Sequence, residues 1–260
     1  MMLFQLKSYL KFLWKSSNQH GVHSPFVFML VTQCFYDKQK KPEYALLKNY
    51  RKALLASEET IDVTDFGAGS RVFRSNKRAV AKIASTAGIR PKRAELLFRI
   101  MRYLKPQTVL EIGTSLGLAT SALALGNKKA TITTLEGCTA TAKIAQEALQ
   151  KLSVKNVSCT ITEFDSFLNA DQLCSKKYDL VYFDGNHAKK ATLAYFEQLL
   201  PTTHNDSVWV FDDIHWSADM EEAWEAIKKH PKTRVTIDTF QWGLVFFRTE
   251  QAKEHFVIRV

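Results

Sequence analysis

Cysteine is scarce in this chain. Cys34, Cys138, Cys159 and Cys174 are scattered over 260 residues with no C-x-x-C pair. Such spacing argues against a disulfide framework or a thiolate zinc site and suits a reducing compartment. Long apolar runs are missing too: no stretch reaches the ~18 residues of a membrane-spanning helix. No small-residue cleavage site follows an apolar block near the N-terminus, so no secretory signal is read and the expected location is the cytoplasm. Internal repeats and low-complexity segments are absent. Acidic residues are sparse in the first part: residues 1–105 carry 7 Asp and Glu against 20 Lys and Arg, a net of +13.

The remaining residues carry a net of −3, within a total of +10. This asymmetry places an expected boundary near Lys105-Pro106. Residues 1–105 form a basic, mainly helical region suited to an anionic partner, and residues 106–260 form the main domain. An apolar content of 46% supplies a core of ordinary size.

The basic region opens on an amphipathic helix, Met1 to Lys15. Leu3, Leu6, Leu10 and Leu13 share one stripe, and Lys7, Lys11 and Lys15 another. With Phe4, Phe12 and Trp14 it suits an anionic membrane surface, its own protein, or the mate in a homodimer. Gly21 reads as a helix stop. Ser24-Pro25 caps a second helix through Tyr36, and Tyr44 to Ala56 forms a third. In Thr64 to Ser70, TDFGAGS, Gly67 to Arg71 reads as a tight turn or a loop over the active site, carrying Arg71 or Arg74 to an anionic substrate. The basic segment from Arg71 to Lys82 reads as helical, and a further helix covers Ala94 to Tyr103.

From Pro106 onward strands and helices alternate. Strands are expected at 108–112, 130–136, 157–162, 178–184 and 207–212, with helices at 117–126, 139–152, 165–173, 189–200 and 217–230. That rhythm implies a parallel sheet covered on both faces. Arg234 to Asp238 and Gly243 to Arg248 are too close together for a parallel crossover, so they form an antiparallel hairpin.

The stretch from Thr108 to Ala124, TVLEIGTSLGLATSALA, is a buried strand running through Gly113 and Gly117 into a helix. Glycines let backbone approach a ligand, and the helix's first N–H groups point at it. The pattern is G-x-x-x-G, not the G-x-G-x-x-G of dinucleotide binders. Glu136 ends the next strand, 23 residues after Gly113. An acid there can accept two hydrogen bonds from a ribose diol. Strand ends also carry Asp165, Asp184, Asp212 and Asp213. Asp165 suits a helix cap; the pair at 212 and 213 suits capping less well.

EIGTSLG followed by TTLEG resembles motifs I and II of class I S-adenosylmethionine-dependent methyltransferases. The resemblance implies a doubly wound, Rossmann-like sheet of seven strands closed by an antiparallel hairpin. It implies a cofactor set of Glu111, Gly113, Thr114, Ser115, Gly117, Glu136, Gly137, Asp165 and Asp184. YDLVYFDGNH and SVWVFDDIHW sharpen it toward the catechol and caffeoyl-coenzyme A O-methyltransferase group. That group holds Mg²⁺ or a similar cation with an Asp and an Asp-Asn pair. The matching positions are Asp184, Asp212 and Asp213, with Asp-Asp in place of Asp-Asn. Three carboxylates suit a hard cation. Where that group has a catalytic Lys, this chain has His187, a sensible base at neutral pH. His215 is a second candidate.

The function expected is methylation of a small-molecule hydroxyl, cation-assisted or not. A second reading uses the basic region to grip tRNA or rRNA, although neither the N/D-P-P-Y motif nor a Pro-Cys nucleophile is present. A third is a non-catalytic scaffold that keeps the cofactor pocket.

Overall fold

The computed structural model describes residues 2–64, 75–169, 173 and 175–260. They form two compact units, the first Gln33–Phe164 and the second Met1–Thr32 with Asp165–Val260. The expected turn or lid at Gly67 to Arg71 falls outside the described residues, as does Arg74.

The chain begins with α1 (Met2–Lys15) and α2 (Pro25–Leu30). α2 starts as expected, with Pro25 in its first turn and Val27 N–H donating to Ser24 Oγ. The helix expected through Tyr36 loosens instead into a π turn over Val31–Phe35. Thr32 Oγ1 donates back to the carbonyls of Phe28 and Met29 at 2.8 and 3.4 Å, a side-chain bond of the kind that distorts a helical ladder.

Next come α3 (Glu43–Leu55), β1 (Thr60–Asp62), β2 (Lys77–Ala79), α4 (Val80–Thr86) and α5 (Pro91–Leu104). The basic segment read as helical is corrected here. In its described part, Lys77–Ala79 is a strand paired antiparallel with Thr60–Asp62, and the helix starts only at Val80. Pairing with a distant partner overrides local preference.

β3 (Thr108–Ile112), α6 (Leu118–Gly126), β4 (Thr131–Glu136), α7 (Thr139–Lys151) and β5 (Val157–Ile161) complete the alternation of the first unit. β3, β4 and β5 are parallel, with Ile112 beside Leu135 and Glu136 beside Ile161. Leu110, Ile112, Ile132 and Leu135 are fully buried, and every residue of α6 is buried.

α8 (Phe164–Leu168), β6 (Leu180–Phe183), α9 (Lys189–Leu199), β7 (Val208–Asp212), α10 (Ala218–Lys229), β8 (Val235–Asp238), β9 (Trp242–Phe246) and β10 (Glu254–Val257) follow. In the second unit β6 and β7 are parallel, and β9 lies antiparallel between β7 and β8, as the hairpin reading requires. β10 then pairs parallel with β8. The expected count of seven strands is therefore corrected to eight among the described residues, three in one unit and five in the other, beside the β1–β2 pair. β10 is only four residues long and leaves Glu254 and His255 exposed, so it carries no strong strand signal.

Aromatic rings fill the second unit: Phe183 stacks on Phe211 at 4.1 Å, and Trp209, Trp224 and Trp242 are buried. α1 packs within this unit. Gln5 Nε2 donates to the Trp216 carbonyl at 3.2 Å, Ser8 Oγ donates to Glu221 at 3.0 Å, and Lys11 pairs with Glu221 at 3.2 Å. Beyond α1, Ser17 N–H donates to the Val257 carbonyl and Arg259 N–H to the Ser17 carbonyl, at 2.9 and 3.2 Å.

Candidate active site

The turn from β3 to α6 places three residues in the left-handed region: Gly113 at φ 104°, Ser115 at φ 47° and Gly117 at φ 74°. A Cβ on Gly117 would lie 3.0 Å from the Ala145 Cβ, so glycine there answers both backbone and space. Gly113 and Thr114 N–H both donate to the Leu135 carbonyl at 3.0 Å, tying the turn to β4. Ser115 has a Cβ and bears local strain. Its N–H donates to Glu136 Oε2 at 2.7 Å, a charge-assisted bond that offsets the strain. Cys138 N–H, across Gly137, donates to Glu136 Oε1 at 2.9 Å. The glycine turn and Glu136 are thus joined by a hydrogen bond at the carboxyl ends of two neighbouring parallel strands.

Behind this turn lies Glu111, fully buried. Its Oε2 accepts from Thr120 Oγ1 at 2.5 Å and Thr134 Oγ1 at 2.6 Å, and Thr134 also meets Thr114 Oγ1 at 2.6 Å. Burial pushes its pKa up to about 7, although the two hydroxyls pull the other way; the charge of Glu136 adds to the rise. Glu111 Oε1 is buried with no hydrogen-bond partner among the described residues. A buried lone oxygen is costly unless a donor reaches it. α6 begins at Gly117 with no side-chain cap, so its first amides are available as donors. Acceptors at Glu111 and Glu136 with donors at α6 suit a ligand bearing hydroxyls, an ammonium and a carboxylate. The residues present therefore fit the cofactor that the sequence resemblance implies.

Tyr50 belongs to this site and escapes sequence reading. It stands on α3, and its buried hydroxyl donates to the Leu116 carbonyl within the turn. Burial pushes its pKa up, so it stays a donor. No local signal marks it, because α3 reads as an ordinary amphipathic helix.

The other strand-end residues lie in the second unit. Asp184 follows β6: Oδ2 accepts from Tyr182 OH at 3.5 Å, and Oδ1 lies 3.7 Å from His187 Nε2. His187 is partly exposed, on a turn where Asn186 is left-handed at φ 51° and its side chain donates to Tyr195 OH at 3.3 Å. Asp212 ends β7 buried, and its Oδ1 accepts from Asp213 N–H at 2.9 Å. Asp213 is itself left-handed at φ 53° and its carbonyl accepts from Trp216 N–H at 2.8 Å, so much of the acidic pair's role is to shape a turn. Among the described residues no three His, Cys, Asp or Glu side chains converge in a way that could hold a metal ion. Asp184, Asp212 and Asp213 as placed do not fit a three-carboxylate cation site.

His215 sits deeper. Its Nε2 lies 2.8 Å from Asp238 Oδ2, and its Nδ1 is 3.4 Å from Glu221 Oε2 without hydrogen-bond alignment. The ring stacks on Phe240 at 5.2 Å. Burial disfavours the charged ring, but Asp238 and Glu221 outweigh it and raise the pKa. Asp165 stands in the first turn of α8, where an acid favours a helix start.

Residues 110–214 match the family model described as a methyltransferase domain. Comparison with curated protein sequences gives no match. Among solved structures, SAH-bound methyltransferase PaMTH1 of Podospora anserina is 13% identical, with a TM-score of 0.59 over 87% of this chain and 97% of its own. The O-methyltransferase from Bacillus cereus in complex with SAH is 17% identical, with a TM-score of 0.55 over 82% of this chain and 94% of its own. The O-methyltransferase TomG of Streptomyces achromogenes, in complex with SAM, is 14% identical, with a TM-score of 0.56 over 84% and 95%. At these identities the likeness is one of fold: mixed α/β, Rossmann-like.

Proposed function

We propose that this methyltransferase domain uses S-adenosylmethionine and places the methyl group on a hydroxyl oxygen of a small molecule. The observation that carries it is the 2.7 Å bond from Ser115 N–H to Glu136 Oε2. It brings the glycine turn and the ribose-binding acid to one edge of parallel strands, where such sheets bind nucleotides. The choice of oxygen is supported by the O-methyltransferases that share the fold.

When bound, the cofactor supplies an electrophilic methyl on a sulfonium. Glu136 keeps lone pairs beyond those used by the Ser115 and Cys138 amides, and these would accept from the ribose hydroxyls. The uncapped amides of α6 would hold the carboxylate of the methionine end, and Glu111 Oε1 would accept from its ammonium. Tyr50 and Gly117 hold the turn in the shape this needs. His187 is the assigned base by its match to the catalytic Lys position of the resembled group, with Asp184 Oδ1 3.7 Å from its Nε2. A deprotonated acceptor oxygen would form the new C–O bond as the methyl–sulfur bond breaks, its electron pair going to sulfur and a neutral thioether leaving.

A cation-assisted version would draw on Asp184, Asp212 and Asp213. Because these do not converge, the proton is assigned to His187 and no step uses a metal.

Calorimetry with S-adenosylmethionine tests the cofactor site. Glu136→Ala is expected to bind at least about tenfold more weakly, the scale of losing charge-assisted bonds. Unchanged affinity in a folded variant would overturn the ribose assignment. Incubation of the wild-type chain with a panel of small phenols, scored by mass for methyl ethers, tests the acceptor class.

A further inference from the structure

The polarity of α1 is reversed from that of an ordinary surface helix. The face that packs on its own unit carries Gln5, Ser8 and Phe12, fixed through Trp216, Glu221 and Phe240. The leucines point the other way. Leu3 is 65% exposed, Leu6 and Leu10 are more than half exposed, and Trp14 is 85% exposed. With Leu13 they make one outward apolar strip, flanked by the exposed Lys7, Lys11 and Lys15. An apolar strip of this kind is costly in water and marks an interaction surface.

We propose that this strip is a docking face for an anionic lipid surface, whatever the methyl acceptor is. Two observations select that occupant over a second copy of the chain. First, α1 carries no Asp or Glu. Pairing α1 with itself would set its lysines against their own kind, whereas an anionic headgroup layer complements them, and the whole chain carries +10. Second, a 14-residue helix offers a strip about 21 Å long and about 10 Å wide. Two such strips bury well under the ~800 Å² per partner of a stable dimer. A helix lying in the plane of a membrane surface needs only one apolar face and a basic flank. Leucine side chains and Trp14 would enter the acyl boundary while Lys7 and Lys15 stay at the phosphates.

Co-sedimentation of the full chain with phosphatidylcholine vesicles, with and without phosphatidylglycerol, tests this. Binding is expected to the phosphatidylglycerol vesicles alone, with a blue shift in fluorescence that Trp14→Phe removes. Leu6→Glu/Leu10→Glu, both outward positions, is expected to weaken binding at least about tenfold with an unchanged circular dichroism spectrum. Lys7→Glu/Lys15→Glu is expected to weaken it about tenfold or more and to flatten its salt dependence. Equal binding by the leucine variant, or no binding by the wild type, overturns the assignment. So does a wild-type dimer in sedimentation velocity that Leu6→Glu/Leu10→Glu returns to monomer, which would give the strip to a second copy.

Discussion

Glu111 shows what a single side chain adds to this site. With its pKa raised from 4.5 to about 7 by burial, the fold prefers the protonated acid. Below pH 4.5 both folded and unfolded chains hold the proton. From there to about 7 the unfolded chain releases it first, so this residue's contribution falls as pH rises through that window, by about 3 kcal/mol in all. Glu111→Gln is expected to flatten the decline of the thermal midpoint over the same range. His187→Ala is expected to lower kcat about a hundredfold with S-adenosylmethionine affinity unchanged, a split that calorimetry and initial rates resolve. The nearness of Glu136 to the glycine turn was legible from spacing, since a strand, a glycine turn and a second strand ending in an acid leave few arrangements. Tyr50 was not, because a hydroxyl that reaches the turn from another helix leaves no periodic trace. Nor did the sequence reveal that Asp212 turns back on the amide of Asp213.

Among the elements, α1 depends on one carboxylate. Glu221 receives Ser8 and Lys11 and stands 3.4 Å from His215. Glu221→Ala is expected to release the helix, read as faster tryptic cleavage at Lys7, Lys11 and Lys15. The raised pKa of His215 sets the sign of the pH effect. Stabilisation by the charged ring is complete below its ordinary value of 6.5 and is lost as pH rises through the higher folded value. Cleavage of α1 should therefore accelerate on the alkaline side, and His215→Gln should remove that dependence after correction for the protease's own pH profile. The alternating strands and helices were legible because each carries a strong apolar period. β2 and β10 were not, since segments of three or four residues opening on two polar ones become strands only through their partners.

For the whole molecule, the uneven charge is the property that sequence reading and experiment can both reach. If the acceptor is a small molecule, KM for it should vary little with salt. A steep linear fall of binding with the logarithm of salt would instead favour the RNA reading. Activity is expected to persist in excess chelator, and Mg²⁺ to leave the thermal midpoint unchanged. A Mg²⁺-dependent rise lost in Asp212→Ala would restore the cation. The doubly wound pattern was readable because parallel strands buried on both faces write themselves as apolar runs.

The backbone bonds joining Ser17 to Val257 and Arg259 have a consequence for biosynthesis. Synthesis runs from the first residue to the last, and domains complete as they emerge. The segment at Ser17 cannot close its pairing until Val257 and Arg259 have left the ribosome. Glu221 and Phe240, the anchors of the first helix, also arrive late. For most of translation the leucine-rich beginning of this chain must wait unseated, the period in which a chaperone or a nearby bilayer would meet it first.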